Sequence, residues 1–264
     1  MKDIFSMKWA FLMLAFLSTT LSISAQQKQH SKKVLIVLSA AEHWTRADGS
    51  LYPSGYWAEE FVDVHKEFLE AGYTVDIATP GSVKPTADQK SLDPGIVGND
   101  KAAYFKKYIQ NTSKSLDHPL KLSSVDMNGY DAVVIPGGHG PVEDLYKDRD
   151  MGRLLFEAEK TGKIIGAVCH GQAAFLSAVD AKGNWLFKDR KMTAFSDEEE
   201  VEFGTADNAP WLLASTLRKK GANYVRGEKN WEVFVERDGN LITGQNPASS
   251  LKMAQVMIGA LTAK

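Results

Sequence analysis

Short runs of branched apolar residues recur along the chain, and they constrain its fold more than any other feature. Four of these runs have the length of a β-strand: VLIVLS at 34–39, YTVDIAT at 73–79, DAVVIP at 131–136 and IIGAV at 164–168. Near-continuous Val and Ile content is typical of strands that are buried on both faces, as in a parallel sheet. The chain is therefore predicted to fold around a buried sheet.

Helical patterns separate several of these runs. A helix is predicted over 57–71, where apolar residues fall every three or four positions, and another over 150–161. Near the C-terminus, 231–244 has the pattern of a hairpin that turns at an Asp-Gly pair, and a last helix follows over 249–261. The alternation of strands and helices predicts an α/β fold, with a doubly wound, mainly parallel sheet and helices on both of its faces.

The first residues are predicted to be a secretory signal. Lys2 and Lys8 precede a mostly apolar stretch over 9–21, and SISAQQ offers a cleavage site after Ala25. Residues 1–25 are assigned to this signal, so the protein is expected to be exported, either periplasmic or secreted. The alternative is an uncleaved anchor, although the stretch is short for a membrane span, which needs about 20 residues.

The rest of the chain is predicted to be one domain. Residues 26–32 form a polar linker, 33–264 form the α/β domain, and 80–125 form an insertion that could cap the active site. The formal net charge is −2 and the charges are interspersed, so neither a nucleic-acid partner nor, after signal cleavage, a membrane partner is expected. The single cysteine excludes an intramolecular disulfide.

That cysteine lies in GKIIGAVCHGQAAF, residues 162–175, a pattern that predicts a strand, a sharp turn and a helix. Cys169 would then lie at the carboxyl end of the sheet, where open α/β folds bind ligands. The helix N-terminus would stabilise a thiolate, and Gly166 and Gly171 would leave room for the strained turn of a nucleophile elbow. The alternative is a buried structural cysteine.

A second glycine-rich turn follows a predicted strand in VVIPGGHGPVEDL, residues 133–145. Gly137 and Gly138 let the backbone approach a ligand closely, so their N–H groups could bind a developing oxyanion, and His139 is expected to line the same pocket. His43, in the loop after the first strand, could also reach the pocket. Alone, this sequence indicates only a loop, but beside the Cys-His turn it favours a catalytic site.

Together with LITGQNPAS at 241–249, the two turns resemble the PfpI family of the class I glutamine amidotransferase-like superfamily, and most resemble its heat-shock chaperone and glyoxalase III branch. The resemblance begins at about Lys33. It implies a flavodoxin-like fold, a homodimer, a Cys-His-acid site at Cys169 and His170, backbone oxyanion donors at Gly138 and His170, and no organic cofactor. Some family members bind zinc, but no histidine spacing here demands a metal, so no metal site is predicted.

The family has an acidic residue on the helix after the first strand, and the matching residue in SGYWAEEFVDVHKEF is Glu60. Glu60 lies three residues after Trp57 and four before Val64, which places it on the apolar face of the helix. Desolvation there would raise the pKa of its carboxyl group, so that the group could share a proton with the thiol. The alternative is a later helix start, with Glu60 facing water.

The glyoxalase branch has a further acid shortly after a strand that ends in an aromatic residue, Ser or Thr, and Asp. KMTAFSDEEEVEF matches this pattern through Asp197, and three residues further on Glu200 would orient His170. The run of acids leaves Glu198 and Glu199 open as alternatives.

The resemblance implies a cysteine-dependent enzyme that acts on small reactive carbonyls, first of all a glutathione-independent glyoxalase, a lyase that converts methylglyoxal to lactate. Cys169 would form a hemithioacetal, Glu60 or His170 would move a proton through an enediol, and water would release the hydroxy acid. The alternatives are a cysteine peptidase or amidase, which would make the protein a hydrolase, and a stress-related holding chaperone whose thiol is vestigial or senses redox state.

Overall fold

A seven-stranded sheet forms the centre of the structure, a computed structural model that describes residues 32–263. The predicted signal at 1–25 lies outside the described residues, as does the predicted linker at 26–32 except for Lys32. In chain order the described strands are β1 (Lys33–Val37), β2 (His43–Thr45), β3 (Leu51–Pro53), β4 (Thr74–Thr79), β5 (Leu120–Lys121), β6 (Ala132–Ile135), β7 (Ile164–Val168), β8 (Lys191–Met192), β9 (Asn223–Tyr224), β10 (Val235–Asp238) and β11 (Leu241–Gly244).

The order of strands in the main sheet is β10-β11-β7-β6-β1-β4-β5, and the remaining strands pair as β2-β3 and β8-β9. All neighbours in the main sheet are parallel except β10 and β11, which form the predicted C-terminal hairpin. The described α-helices are α1 (Ala58–Glu70), α2 (Pro94–Val97), α3 (Asn99–Asn111), α4 (Ser113–Asp117), α5 (Arg149–Lys160), α6 (Asp197–Phe203), α7 (Leu213–Lys220) and α8 (Ser250–Thr262).

Burial on both faces of the sheet explains its apolar strands. Along β1 and the residue that follows it, Leu35 and Val37 belong to the core on one face, whereas Val34, Ile36 and Leu38 belong to the core on the other, and all five are fully buried. The second core is closed by α1 and α8, and the first by α5 and the segment that follows β7. The predicted flavodoxin-like, doubly wound fold is confirmed.

The segment 80–125 contains α2, α3, α4 and the edge strand β5. Helix α3 packs against α1. Near the start of the segment, the carbonyl of Thr86 accepts the backbone N–H of Tyr56, which lies just before α1. The segment therefore braces the start of α1 from outside the sheet. Among residues 32–263, no helix is both long and apolar enough to span a membrane.

Candidate active site

Cys169 directly follows β7, at the carboxyl edge of the sheet, and its backbone is in the left-handed region with φ of 62°. This conformation is rare for a residue with a side chain and persists only where neighbouring structure enforces it. Here the Cys169 N–H donates to the carbonyl of Gly244 on β11 at 3.0 Å, and the Cys169 carbonyl accepts from the N–H of Phe195 at 3.0 Å. The thiol is thus held on a strained, doubly anchored turn, as the predicted elbow requires.

The segment after this turn differs from the prediction, because Gly171–Ser177 forms a 3₁₀ helix instead of an α-helix. A Cβ on Gly171 would overlap the carbonyl oxygen of Ile135, so the segment lies directly against the end of β6. Seven residues of 3₁₀ helix provide a weaker dipole than the predicted helix would. The state of the thiol therefore depends on its side-chain neighbours.

The first of these neighbours is Glu60, which lies on α1 and is fully buried, as its position on the apolar stripe predicted. Its Oε2 accepts the backbone N–H of Gly137 at 2.5 Å, its Oε1 has no hydrogen-bond partner among residues 32–263, and its carboxyl group interacts with the Cys169 thiol. Burial raises the pKa of Glu60 to about 8. The carboxyl group is therefore protonated at neutral pH and can exchange a proton with the sulfur.

Burial and the Glu60 carboxyl group both raise the pKa of the Cys169 thiol, whereas the backbone N–H of Gly138 points at the sulfur and lowers it. Gly138 has φ of 83°, and a Cβ there would overlap the carbonyl oxygen of Gly55, so only glycine fits. The N–H of Gly138 is thus available at the reacting atom. The N–H of Gly137 is not, because Glu60 accepts it, and the prediction of Gly137 as an oxyanion donor is corrected on this point.

The second neighbour is His170, whose Nδ1 lies 3.4 Å from Sγ of Cys169. On the other side of the ring, its Nε2 lies 2.6 Å from Oε2 of Glu200. Since Glu200 accepts at Nε2, the ring in its neutral form carries its proton there and leaves Nδ1 as an acceptor towards the sulfur. Burial lowers the pKa of His170, which favours this neutral form.

Helix α6 selects Glu200 from the run of acids. Ser196 and Glu199 form a capping box at the start of α6, which uses the Glu199 carboxylate at the helix end. Glu198 faces solvent, near Arg226, and Glu200 points inward. The structure thus brings Cys169, His170 and Glu200 into consecutive contact, from the sulfur through the imidazole ring to the carboxylate.

His139 also contacts this carboxylate, a role that the sequence did not predict. Its Nε2 lies 3.0 Å from Oε1 of Glu200, and its ring stacks on Trp44 with centroids 4.4 Å apart. The carboxylate further accepts the hydroxyl of Thr205 at 2.5 Å. Although burial alone would raise the pKa of Glu200, the charges and hydrogen bonds of His170 and His139 hold it well below its usual range.

The same three side chains could hold a metal ion. One ligand atom each from His139, His170 and Glu200 lies within 4.8 Å of the others, and all three residues are buried. Two imidazole nitrogens and a carboxylate suit zinc and similar divalent ions. Both nitrogens already pair with the carboxylate, which gives the group a structural use without an ion, and the absence of a metal site stays a prediction.

The Cys169 thiol borders a small cavity. Besides Cys169, it is lined mainly by aromatic and small residues: Trp57, Gly138, His139, His170, Phe195, Phe203, Trp231 and Pro247. None of the described residues of 80–125 lines the cavity, so the predicted insertion does not cap it. Phe203, at the end of α6, and Trp231 form that wall instead.

His43 is also absent from the cavity lining, because it pairs with Pro53 in the β2-β3 hairpin. The neighbouring residue Trp44 points inward and reaches the site through its stack on His139. Strand alternation accounts for the difference, since successive side chains point to opposite faces.

The geometry agrees with comparison to known proteins. The family model described as ThiJ/PfpI family-like matches residues 51–204, more than half of the chain. The chain belongs to this family. The matched range contains Glu60, Cys169 and Glu200.

Several relatives match almost end to end. Glyoxalase 3 of Candida albicans is 29% identical over 233 residues, which cover 86% of this chain and 98% of the relative. The glutathione-independent glyoxalase HSP31 of Saccharomyces cerevisiae is 28% identical over 236 residues, which cover 87% of this chain and 98% of the relative. The crystal structure of glyoxalase III from Candida albicans superposes with a TM-score of 0.76 at 29% identity, over 88% of this chain and 98% of that one.

These relatives overturn the prediction of export, which is wrong. Their matches to this chain take in 98% of their own length, so neither has room for a counterpart of the leader predicted at 1–25. The basic and apolar segments at the N-terminus do not make a clear signal peptide.

Proposed function

We propose that this protein is a glutathione-independent glyoxalase that converts methylglyoxal and related small 2-oxoaldehydes to 2-hydroxy acids. The observation that carries the proposal is the position of the Cys169 thiol, between the buried carboxyl group of Glu60 and Nδ1 of His170. The names of the relatives, glyoxalase 3 and glutathione-independent glyoxalase, support the same activity. We place the reaction among lyases, since the net addition of water to the 2-oxoaldehyde is the reverse of a dehydration.

The first step is attack of sulfur on the aldehyde carbon. The bond from Sγ to that carbon forms as the thiol proton passes to Nδ1 of His170, which lies 3.4 Å from the sulfur. The aldehyde oxygen gains negative charge, and the N–H of Gly138 donates to it before it takes up the proton. The product is a hemithioacetal.

The second step moves hydrogen between the two oxygenated carbons. A base removes the proton on the former aldehyde carbon, which gives an enediol, and an acid returns a proton to the neighbouring carbon, which gives a thioester of a 2-hydroxy acid. Glu60 suits both roles, because a carboxyl group with a pKa of about 8 both accepts and donates protons near neutral pH. The former aldehyde carbon is oxidised and the neighbouring carbon is reduced by the same two electrons, so the step needs no external oxidant or reductant.

The third step is hydrolysis. Water adds to the thioester carbon and the bond to Sγ breaks. The sulfur stays on Cys169 and takes back a proton, and the hydroxy acid is released, which is lactate when the substrate is methylglyoxal. His170, held by Glu200 at 2.6 Å, is placed to take a proton from that water. Overall, one substrate and one water give one hydroxy acid.

The test is turnover of methylglyoxal without glutathione, followed by formation of lactate. The wild-type protein is expected to produce lactate, and Cys169→Ala is expected to produce none while it keeps the circular dichroism and unfolding curve of the wild type. A peptide and a glutamine substrate, run in parallel, address the hydrolase alternative. Lactate formation by Cys169→Ala at the wild-type rate would overturn the proposal, as would a wild-type protein that cleaves only the peptide or the amide.

A further inference from the structure

The cavity wall contains one side-chain donor that the fold leaves without a partner. The indole N–H of Trp57 is buried and has no acceptor among residues 32–263, and only 8% of Trp57 is exposed. Buried donors are nearly always paired, so an unpaired donor beside a reactive thiol calls for an explanation. A ligand in the cavity can supply the missing acceptor.

The other polar groups of the wall are already engaged. Nε2 of His139 and Nε2 of His170 pair with Glu200, and the indole N–H of Trp231 donates to Glu202 at 2.6 Å. The backbone N–H of Gly138 points at the sulfur. Trp57 therefore offers the free side-chain donor of this wall.

A 2-oxoaldehyde brings two oxygens into this mostly aromatic cavity, one on each of its carbonyl carbons. In the proposed reaction, the oxygen on the carbon that sulfur attacks accepts the N–H of Gly138. The oxygen on the second carbon loses its hydrogen bonds to water when the substrate enters the cavity, so it needs a different donor. That second oxygen carries negative charge as the enediol forms. A donor there would bind the substrate and also stabilise the intermediate.

On the basis of the proposed function, we propose that the Trp57 N–H binds this second oxygen and makes Trp57 the residue that selects 2-oxoaldehydes over aldehydes without an adjacent oxygen. Trp57 is positioned for this by the main chain: its own backbone N–H donates to the carbonyl of Gly137 at 3.0 Å, directly before α1. The indole is therefore fixed to the loop that carries Gly138. The two donors, one for each substrate oxygen, belong to one rigid unit.

The test compares Trp57→Phe with Trp185→Phe. Both substitutions keep an aromatic ring and remove one indole N–H, but Trp185 lies in the core away from the cavity and its N–H donates to the carbonyl of Phe175 at 2.7 Å. Loss of one hydrogen bond to substrate should lower kcat/KM for methylglyoxal about tenfold in Trp57→Phe. Trp185→Phe should keep the wild-type kcat/KM and instead unfold at lower urea concentration, whereas Trp57→Phe should not.

A second measurement separates substrate recognition from an effect on the thiol. The rate at which methyl methanethiosulfonate modifies Cys169 should be the same in Trp57→Phe and wild type, because this reagent brings no second carbonyl oxygen. If the modification rate falls together with kcat/KM, or if kcat/KM does not change, the inference is overturned while the glyoxalase proposal stands. If the wild-type protein does not turn over methylglyoxal at all, the proposed function fails and the inference fails with it.

Discussion

Glu60 and Cys169 form a pair of buried acids in which the carboxyl group hinders ionisation of the thiol. Burial raises the pKa of the carboxyl group to about 8, and burial together with that carboxyl group raises the pKa of the thiol. At neutral pH, therefore, both protons remain on the pair. Before sulfur can attack, the pair must lose one of these two protons, and the remaining proton can lie on either the carboxyl group or the sulfur.

This pair predicts the pH dependence of the enzyme. In the wild-type protein, kcat/KM for methylglyoxal should rise as the pH rises through about 8, the pKa of Glu60, and then level off. In Glu60→Gln the rise at that pH should disappear, and kcat should fall by roughly a hundredfold or more, because the proton carrier is gone. The measurement is kcat/KM between mildly acidic and mildly alkaline pH.

Glu59→Gln is the matched control. Glu59 is the preceding residue on α1, and its carboxylate pairs with Lys101 at 2.5 Å, away from the thiol. This variant should keep the rise with pH, at a slightly lower pH than in the wild type, because the charge of Glu59 contributes to the raised pKa of Glu60. A Glu60→Gln variant that also kept it would show that another group controls the reaction.

A second prediction concerns the acid that holds His170. Glu200→Gln removes the charge that both histidines contact and should lower kcat by roughly a hundredfold, because the ring of His170 loses the partner that fixes its tautomer. Glu198→Gln removes an exposed carboxylate two residues away and should leave kcat unchanged. Equal activity of the two variants would argue against an orienting role for Glu200.

The sequence predicted some of these residues better than others. Glu60 could be found because the family resemblance points to an acid on this helix and helical spacing places Glu60 among apolar residues. The pairing of His139 with Glu200 could not, because the two residues are 61 positions apart and meet only once the loop after β6 and helix α6 are folded. For the same reason, the sequence did not reveal that Glu60 accepts a hydrogen bond from the N–H of Gly137.

At the scale of elements, the start of α6 determines which acid faces the site. The capping box commits Ser196 and Glu199 to the helix end and so fixes the position of Glu200 one residue later. Composition could not provide this choice, since the four consecutive acids at 197–200 are chemically similar. Cap geometry distinguishes them.

Removal of this cap should therefore affect stability. Ser196→Ala should lower the free energy of unfolding by about 1 kcal/mol, because the N–H of Glu199 loses its acceptor. Urea unfolding measures the change, with Ser123→Ala, an exposed serine, as the control. If the two variants were equally stable, the cap would contribute nothing to the fold.

For the whole molecule, the two edges of the sheet have different tasks. The thiol and both glycine turns lie at the carboxyl edge, whereas at the amino edge Arg190 links helix α5 to the turn between β10 and β11. Its guanidinium group donates to the carboxylate of Glu159, in the last turn of α5, at 2.9 Å. It also donates to Asp238 in the hairpin turn, to the carboxylate at 2.9 Å and to the backbone carbonyl at 2.7 Å. Stability and activity should therefore be separable.

Arg190→Met should lower the free energy of unfolding by about 1.5–3 kcal/mol, the usual range for hydrogen bonds to charged groups. It should leave kcat/KM for methylglyoxal unchanged, because none of its contacts reaches the carboxyl edge. Lys66→Met, which removes an exposed pair with Glu70 at 3.4 Å, should change neither quantity noticeably. A large loss of activity in folded Arg190→Met would contradict the separation.

The sheet itself could be predicted because strands buried on both faces leave a strong apolar signal. The position of 80–125 could not be, because its polar composition shows that it is exposed and says nothing about which side of the sheet it occupies. Homodimer formation stays a prediction, which sedimentation of the purified protein would test.

The contact between Gly137 and Glu60 ties the proton carrier to the turn that receives negative charge. A change that moves helix α1 would drag the turn with it, and a longer turn would pull the carboxyl group away from the sulfur. Engineering this pocket for a bulkier substrate would then have to reshape both segments together, and substitutions that enlarge only one of them should lose catalysis before they gain space.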